Sequence, residues 1–319
     1  METRETAVHI GGTACSMSSD DDYLSHIGSD FEPHMVSLFT CLAGNKRVVL
    51  DIGANIGCTA ILFSRLYEQV HAFEPSPSTF RYLQANVARN AGPNVTVHNF
   101  GLGAEAGSST ITFAANNRSG AFVSNHEKAN ADHLSEQIEI RTLDDTVDAL
   151  GLTALDFIKI DVEGFEGHVL RGGKATLARY RPLLVLELNH WCLNAFQRTS
   201  VPEFFDQLRA TFPLLYAVDG NGYLNLHSLD ESYAVMYHHI LHLRFSNIVC
   251  AYDEAQLTGF FAQYRHGMGA QHPAPAEPEH IDAAGPAAEP EPTAPPPALA
   301  HPSLVGRALR RVHALMGRG

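Results

Sequence analysis

The stretch "VVLDIGANIGCTAILFSRL", Val48 to Leu66, decides the fold. Val48 to Ile52 is an apolar run, and from Cys58 apolar residues recur at helical spacing. A strand that passes through a glycine loop straight into a helix opens a doubly wound α/β sheet. Outward from it the alternation continues. "QVHAFEP", "VTVHNFGLG", "LDFIKIDVEG", "PLLVLELN" and "NIVCAY" read as strands. "SPSTFRYLQANVARNAG", capped by Ser76 or Ser78, "HVLRGGKATLARY", weakened at Gly172-Gly173, and "VPEFFDQLRATF" read as helices. "SSTITF" and "QIEIRTL" alternate β-branched residues and read as extra strands, and "LLYAVDGNGYLNLHS" as a β-hairpin addition through its Asn-Gly turn. Near-continuous apolar strands suit a mostly parallel, Rossmann-like sheet covered by helices on both faces.

The loop narrows the ligand. A dinucleotide loop needs G-x-G-x-x-G, but counting from Gly53 the next two glycine positions hold Asn55 and Cys58. A P-loop needs a lysine that is missing here. What remains is D-x-G-x-x-x-G: Asp51, Gly53 and Gly57. Free N–H groups at the helix start suit a small carboxylate, and Asp51 beside them suits an ammonium. Glu74, 17 residues beyond Gly57, ends the next strand, where a carboxylate accepts hydrogen bonds from ribose hydroxyls. An amino acid joined to a nucleoside without phosphate describes S-adenosylmethionine.

Composition sets the limits. The chain has 319 residues, 45% of them hydrophobic, and a formal charge of −13, which argues against nucleic-acid partners. The five cysteines are scattered without a CxxC pair, as in reduced, cytoplasmic proteins. The start "METRETAVHI" lacks the charged-then-apolar pattern of a secretory leader, and no apolar run has membrane-spanning length. Residues 266–302 are Pro/Ala/Glu-rich and are expected to form a disordered linker, because they hold too little apolar surface to offset ordering entropy. Residues 303–319, "SLVGRALRRVHALMGRG", read as a short basic amphipathic helix. Two readings stay open for it: weak docking to an anionic membrane surface or a protein groove, which would make the protein peripheral at the membrane, or no function at all.

"VVLDIGANIG", "HAFEPSPSTFRYLQANV", "TLDD" (142–145), "DFIKIDVEGFEGHVLRGG" and "LLVLELN" together resemble the FkbM family of S-adenosylmethionine-dependent methyltransferases. The resemblance runs from about Phe31 to Asn189. It implies a class I methyltransferase fold and methyl transfer, usually to an oxygen of a sugar, glycolipid or polyketide-like acceptor. It also implies cofactor contacts at Asp51, Gly53, Ala54, Asn55 and Gly57, a ribose acid at Glu74, and an adenine end near Asn99 to Leu102, with Gly101 and Leu102 at its core. The expected organisation is an N-terminal extension (1–30), a methyltransferase domain (31–265), the linker and the basic helix. A catalytically inactive scaffold that keeps the cofactor fold is the alternative.

Candidate catalytic groups follow from the strand tips. On a period-two count Lys159, Asp161 and Glu163 share a face at the end of a central strand. Asp161 is the first candidate base, with Glu163 in support and Lys159 as a pairing partner. The next strand brings Glu187, Asn189 and His190, and the imidazole of His190 is a second candidate base. His238 and His242 have zinc-like spacing without a third ligand in the segment, so no metal is expected. Cys58 near a helix start is read as a small loop-filling residue rather than a reactive thiol.

Overall fold

A computed structural model describes residues 3–44, 47–114, 116–124 and 133–269. The basic helix at 303–319, and the linker from residue 270 onward, lie outside the described residues. The chain begins with β1 (Arg4–Ile10), β2 (Thr13–Ser19), α1 (Tyr23–Ile27) and α2 (Pro33–Ala43). The strand–helix repeat follows as β3 (Val48–Ile52), α3 (Cys58–Leu66), β4 (Gln69–Phe73), α4 (Pro77–Asn90) and β5 (Val95–His98). Four strands come next: β6 (Gly101–Leu102), β7 (Gly107–Ala114), β8 (Asn117–Val123) and β9 (His133–Arg141). The chain then returns through α5 (Leu143–Ala149), β10 (Phe157–Ile160), α6 (Glu166–Arg171), α7 (Lys174–Tyr180), β11 (Leu183–Glu187), α8 (His190–Gln197) and α9 (Val201–Arg209). It ends with β12 (Leu214–Asp219), β13 (Gly222–Asn225), α10 (Leu229–His242), β14 (Asn247–Ala251), α11 (Thr258–Gln263) and β15 (Arg265–His266).

The main sheet has the order β15-β13-β12-β14-β11-β10-β3-β4-β5. From β11 to β5 every neighbour is parallel, while β14, β12 and β13 add antiparallel partners. Alternation along the strands loads both faces. Val49 and Phe157 point to the layer of α2 and α3, where Phe39 and Phe63 pack edge-on against Phe157 or each other. Leu50, Ile158 and Leu184 point to the opposite core with Val169 and Phe204. The chain leaves β3 toward β4 and β5, then comes back to place β10 on the other side of β3. The carboxyl ends of β3 and β10 therefore flank a topological switch point.

Ser76 caps α4 by accepting from the Thr79 N–H, and Gly172-Gly173 breaks the predicted single helix into α6 and α7. The two extra strands predicted from alternation are β7 and β9, part of a separate sheet ordered β6-β9-β7-β8.

Two expected boundaries move. Residues 1–30 were read as an extension, yet Val8, Ile10, Cys15 and Met17 of the β1–β2 hairpin are buried in the main core. Fully burying such a side chain contributes about 1.5–3 kcal/mol. Asn86 and Asn90 of α4 bond the backbone of Ser18 and Ser16, tying the hairpin down. At the other end, β15 pairs in parallel with β13 and Gly267 N–H donates to Tyr223 O, so residues 266–267 belong to the sheet rather than to a linker. No described helix is long and apolar enough to cross a membrane.

Candidate active site

The loop after β3 turns on three residues of positive φ, Gly53 (82°), Asn55 (48°) and Gly57 (100°). A Cβ on Gly53 would lie 1.8 Å from the Asp161 carbonyl oxygen, so only glycine lets the β3 and β10 loops cross. The Gly53 and Ala54 N–H groups both donate to Phe73 O, at 3.1 and 2.9 Å, and the Gly57 N–H to Ala54 O. Asn55 N–H donates to Glu74 Oε2 at 3.1 Å. The loop amides expected to be free are thus used, three by the tip of β4 and one within the loop. The N–H groups without intrahelical acceptors lie in the first turn of α3, where Cys58 and Thr59 line the cavity.

Glu74 is buried at the end of β4 and also accepts from Ser76 N–H at 2.9 Å. Burial raises its pKa to about 7 against the lowering effect of those two N–H donors. A carboxylate offers about four lone-pair sites, and two remain for a ligand hydroxyl. Gly101 and Leu102 line the cavity next to Glu74 and Pro75, and a Cβ on Gly101 would press on Ile140 and Pro75. Asn99 Nδ2 donates to the Glu74 and Pro75 carbonyls, which holds this corner together.

Lys159 organises the centre. Its ammonium is buried and lies 2.9 Å from Gly53 O, 3.3 Å from Asp51 Oδ1 and 3.2 Å from Asp161 Oδ2. Burial alone would lower its pKa, but Asp161 and Asp51 outweigh burial and raise it. Asp51 is 0% exposed, and its oxygens make no hydrogen bond beyond this ion contact. Burial raises the Asp51 pKa, opposed by Lys159. Asp51 does not line the cavity, so the expected ammonium contact is corrected: Lys159 already takes its charge.

Asp161 and Glu163 both line the cavity, though not as neighbours on a strand. β10 stops at Ile160, and a tight turn with Glu163 at φ 52° brings the two carboxylates round together. Glu163 Oε2 accepts from Asn189 Nδ2 at 3.2 Å and from Cys192 Sγ at 3.0 Å. Asn189 also caps α8, accepting from Cys192 N–H. Burial and then Asp161 raise the Glu163 pKa to about 7. Glu166 braces the turn by accepting from the Val162 and Gly164 N–H groups, and burial pushes its pKa to about 8. Glu187, at the tip of β11, has its Oε2 shut from solvent with no N–H or O–H donor. Its pKa is raised well above the usual value by burial, then by Asp161 and Glu163.

Other expected residues fall elsewhere. Gly57 (φ 100°) does not face the cavity; a Cβ there would meet Leu83 at 2.9 Å, so its role is close packing of α3 on α4. His190 does not join Asp161. It borders a separate groove with Trp191, Asn194, Arg198, Pro202 and Ile240, stacks edge-on against His239, and has its pKa lowered by burial. His238 and His242 do share a helical face on α10, with ring centroids 6.0 Å apart. Among the described residues no cluster of three or more His, Cys, Asp or Glu has metal-binding geometry. Cys58 is buried, which raises its thiol pKa and leaves it inert.

The sequence reading missed the roof. Tyr23, Phe31, Glu32 and Met35 come from the N-terminal segment, and Arg118 and Ser119 from β8. The signal for the segment was present: Gly11-Gly12 between alternating Val8, Ile10, Cys15 and Met17 is a hairpin pattern. The cavity encloses about 260 Å³. Among the described residues, Glu32, Glu74, Asp161, Glu163 and Glu187 face it against Lys159 and Arg118. Arg118 is already held by Asp20, at 3.0 and 3.2 Å, and by the Ser78 hydroxyl. With the Lys159 ammonium fully committed and the cavity lined mostly by carboxyl groups, the residues present fit a cationic ligand such as a sulfonium.

Known proteins place the chain. A 2-O-methyltransferase, NoeI, of Sinorhizobium fredii is 33% identical over 150 residues, 42% of this chain and 60% of the relative. The hexuronic acid methyltransferase AglP of Haloferax volcanii is 30% identical over 141 residues, 44% of this chain and 56% of the relative. Both matches span less than two thirds of the relatives' own length. A crystal structure of a methyltransferase FkbM from Methylobacillus flagellatus KT is 23% identical, with a TM-score of 0.33, over 45% of this chain and 33% of that one. The methyltransferase FkbM domain matches residues 51–223, more than half of the sequence. The chain belongs to the FkbM family of S-adenosylmethionine-dependent methyltransferases.

Proposed function

We propose that the chain methylates a hydroxyl oxygen of a sugar, glycolipid or polyketide-like small molecule. The observation that carries this reading is the meeting of the Gly53 loop and the Asp161–Glu163 turn around one acidic cavity at the switch point. Two relatives named for 2-O-methylation and for a hexuronic acid support the oxygen and the sugar.

Bound S-adenosylmethionine supplies an electrophilic methyl on a positively charged sulfur. The first turn of α3, with Ala54 and Asn55, would hold its amino-acid end, Glu74 its ribose, and Gly101 and Leu102 its base. Gly53 shapes the loop, and Asp51 acts from behind by fixing Lys159. Glu163 is the better placed general base. Its pKa near 7 matches the proton it must take from an attacking hydroxyl at neutral pH, and Asn189 and Cys192 fix its carboxylate. Asp161, held by Lys159, orients the acceptor. The acceptor oxygen gains the methyl, its proton passes to Glu163, and the donor leaves neutral at sulfur.

Labelled-methyl transfer into sugar and lipid fractions of a cell extract tests this. Wild type is expected to label an alkali-stable methyl ether, and Glu163→Gln to be slower by about 10²–10⁴-fold. Label found on nitrogen or on carboxylate esters, or an undiminished Glu163→Gln rate, overturns it.

A further inference from the structure

We infer that the acceptor carries no negative charge close to its reacting hydroxyl: the cavity is built for a neutral or cationic acceptor and against an acidic sugar. The inference rests on the oxygen-methylation reading and narrows its substrate class. It also separates this chain from the relative named for a hexuronic acid.

Recognition of an acceptor carboxylate needs a cation with hydrogen-bond capacity to spare. Among the described residues lining the cavity the cations are Lys159 and Arg118. Lys159 has three N–H bonds to give and three oxygens around it, from Gly53, Asp51 and Asp161. Arg118 gives three of its five N–H donors to the two oxygens of Asp20 and to Ser78, and it lies over the Phe113 ring. Lys159 cannot turn to a ligand anion without leaving Asp51 or Asp161 unpaired, and Arg118 would first have to break its pairing with Asp20, which Arg81 shares at 2.9 Å.

The carboxylates, by contrast, have capacity left. Glu187 Oε2 is buried with no N–H or O–H donor, although its carboxyl group shares a hydrogen bond with Asp161. Glu32 stands at the rim, and its side chain does not cap the helix it precedes. Its φ is 29°, rare for a side-chain-bearing residue. The β1 strand pins this conformation, since His9 N–H donates to Ser29 O and Phe31 N–H to His9 O, at 2.8 and 2.9 Å. Strain held in place by flanking hydrogen bonds is how a protein presents a group for use. These carboxylates already oppose one another. Burial first, and then Asp161, raises the pKa of both Glu32 and Glu163. A ligand carboxylate would add to the same repulsion, whereas a donor sulfonium or an acceptor ammonium relieves it.

The test uses the full-length protein, labelled S-adenosylmethionine and three acceptors that differ only at C6: a methyl hexoside, its hexuronoside and its 6-amino-6-deoxy analogue. The expected kcat/KM for the hexuronoside is at least about tenfold below that of the hexoside, with the amino sugar not below the hexoside. Glu32→Gln is expected to narrow the hexoside-to-hexuronoside ratio several-fold. That ratio is taken within each variant, so altered folding or donor affinity cancels. A hexuronoside used as well as the hexoside overturns the inference and leaves oxygen methylation standing. A ratio unmoved in Glu32→Gln removes Glu32 from it. Absence of label from all three, with donor binding intact, overturns the parent reading and this inference with it.

Discussion

The tips of β3 and β10 each carry an aspartate against the same ammonium, and the two have opposite fates. Asp51 is sealed, 0% exposed, and touches no ligand space. Asp161 has a side chain 37% exposed and lines the cavity. One lysine therefore splits its charge between a structural partner and a working one. Inside a protein a buried ion pair contributes little net stability, but removing one partner is severe because the other is left uncompensated. Asp51 and Lys159 are best understood as a pair that fixes position, and Asp161 as the group that uses that position.

The largest expected break in this contrast is Lys159→Met. It strands Asp51 in the core and should lower unfolding stability by about 3–5 kcal/mol in urea titration. A stability loss under 1 kcal/mol would mean that Asp51 is neutral in the folded protein. Second is the pH profile. Glu163 must be ionised to accept a proton, so kcat should rise about tenfold per pH unit below pH 7 and level off above it. A raised carboxylate pKa also means that the folded state binds the proton more tightly than the unfolded one. Glu163 therefore takes stability away as pH rises from its unfolded value, about 4.3, toward 7. Glu163→Gln should accordingly melt at a higher temperature than wild type at pH 8 while losing activity. A lower melting temperature would place the Glu163 charge in a stabilising role. The smallest expected stability effect is that of Asp161→Asn. With its side chain 37% exposed, it should shift stability by less than about 1 kcal/mol while kcat drops. Equal losses in both measurements would erase the distinction between the two strand tips.

Much of this geometry was legible wherever it is local in sequence. "DIGANIG", "FEP" and "KIDVEG" each lie at one strand tip, and the strand–helix alternation alone brings the tips together. Asp161 and Glu163 are predicted as candidate bases from a continuing strand, and both line the cavity, but a turn braced by Glu166 is what aligns them. Gly57 was misread because glycine serves close packing and ligand approach equally, and only the position of Leu83 on α4 separates the two. His190 was misread because the chain turns into α8 at that residue and carries the ring toward α10. The roof was illegible for a different reason. Tyr23, Glu32 and Arg118 are far from the motifs in sequence, and only the docking of the hairpin on α4 and the Asp20–Arg118 pair bring them over the site.

The bond from the Lys159 ammonium to the Gly53 carbonyl works like a stitch across the seam of the sheet, fastening its two halves where they diverge. Parting the halves would tear a buried ammonium from its ligands. The floor of the cavity is therefore fastened before any ligand arrives.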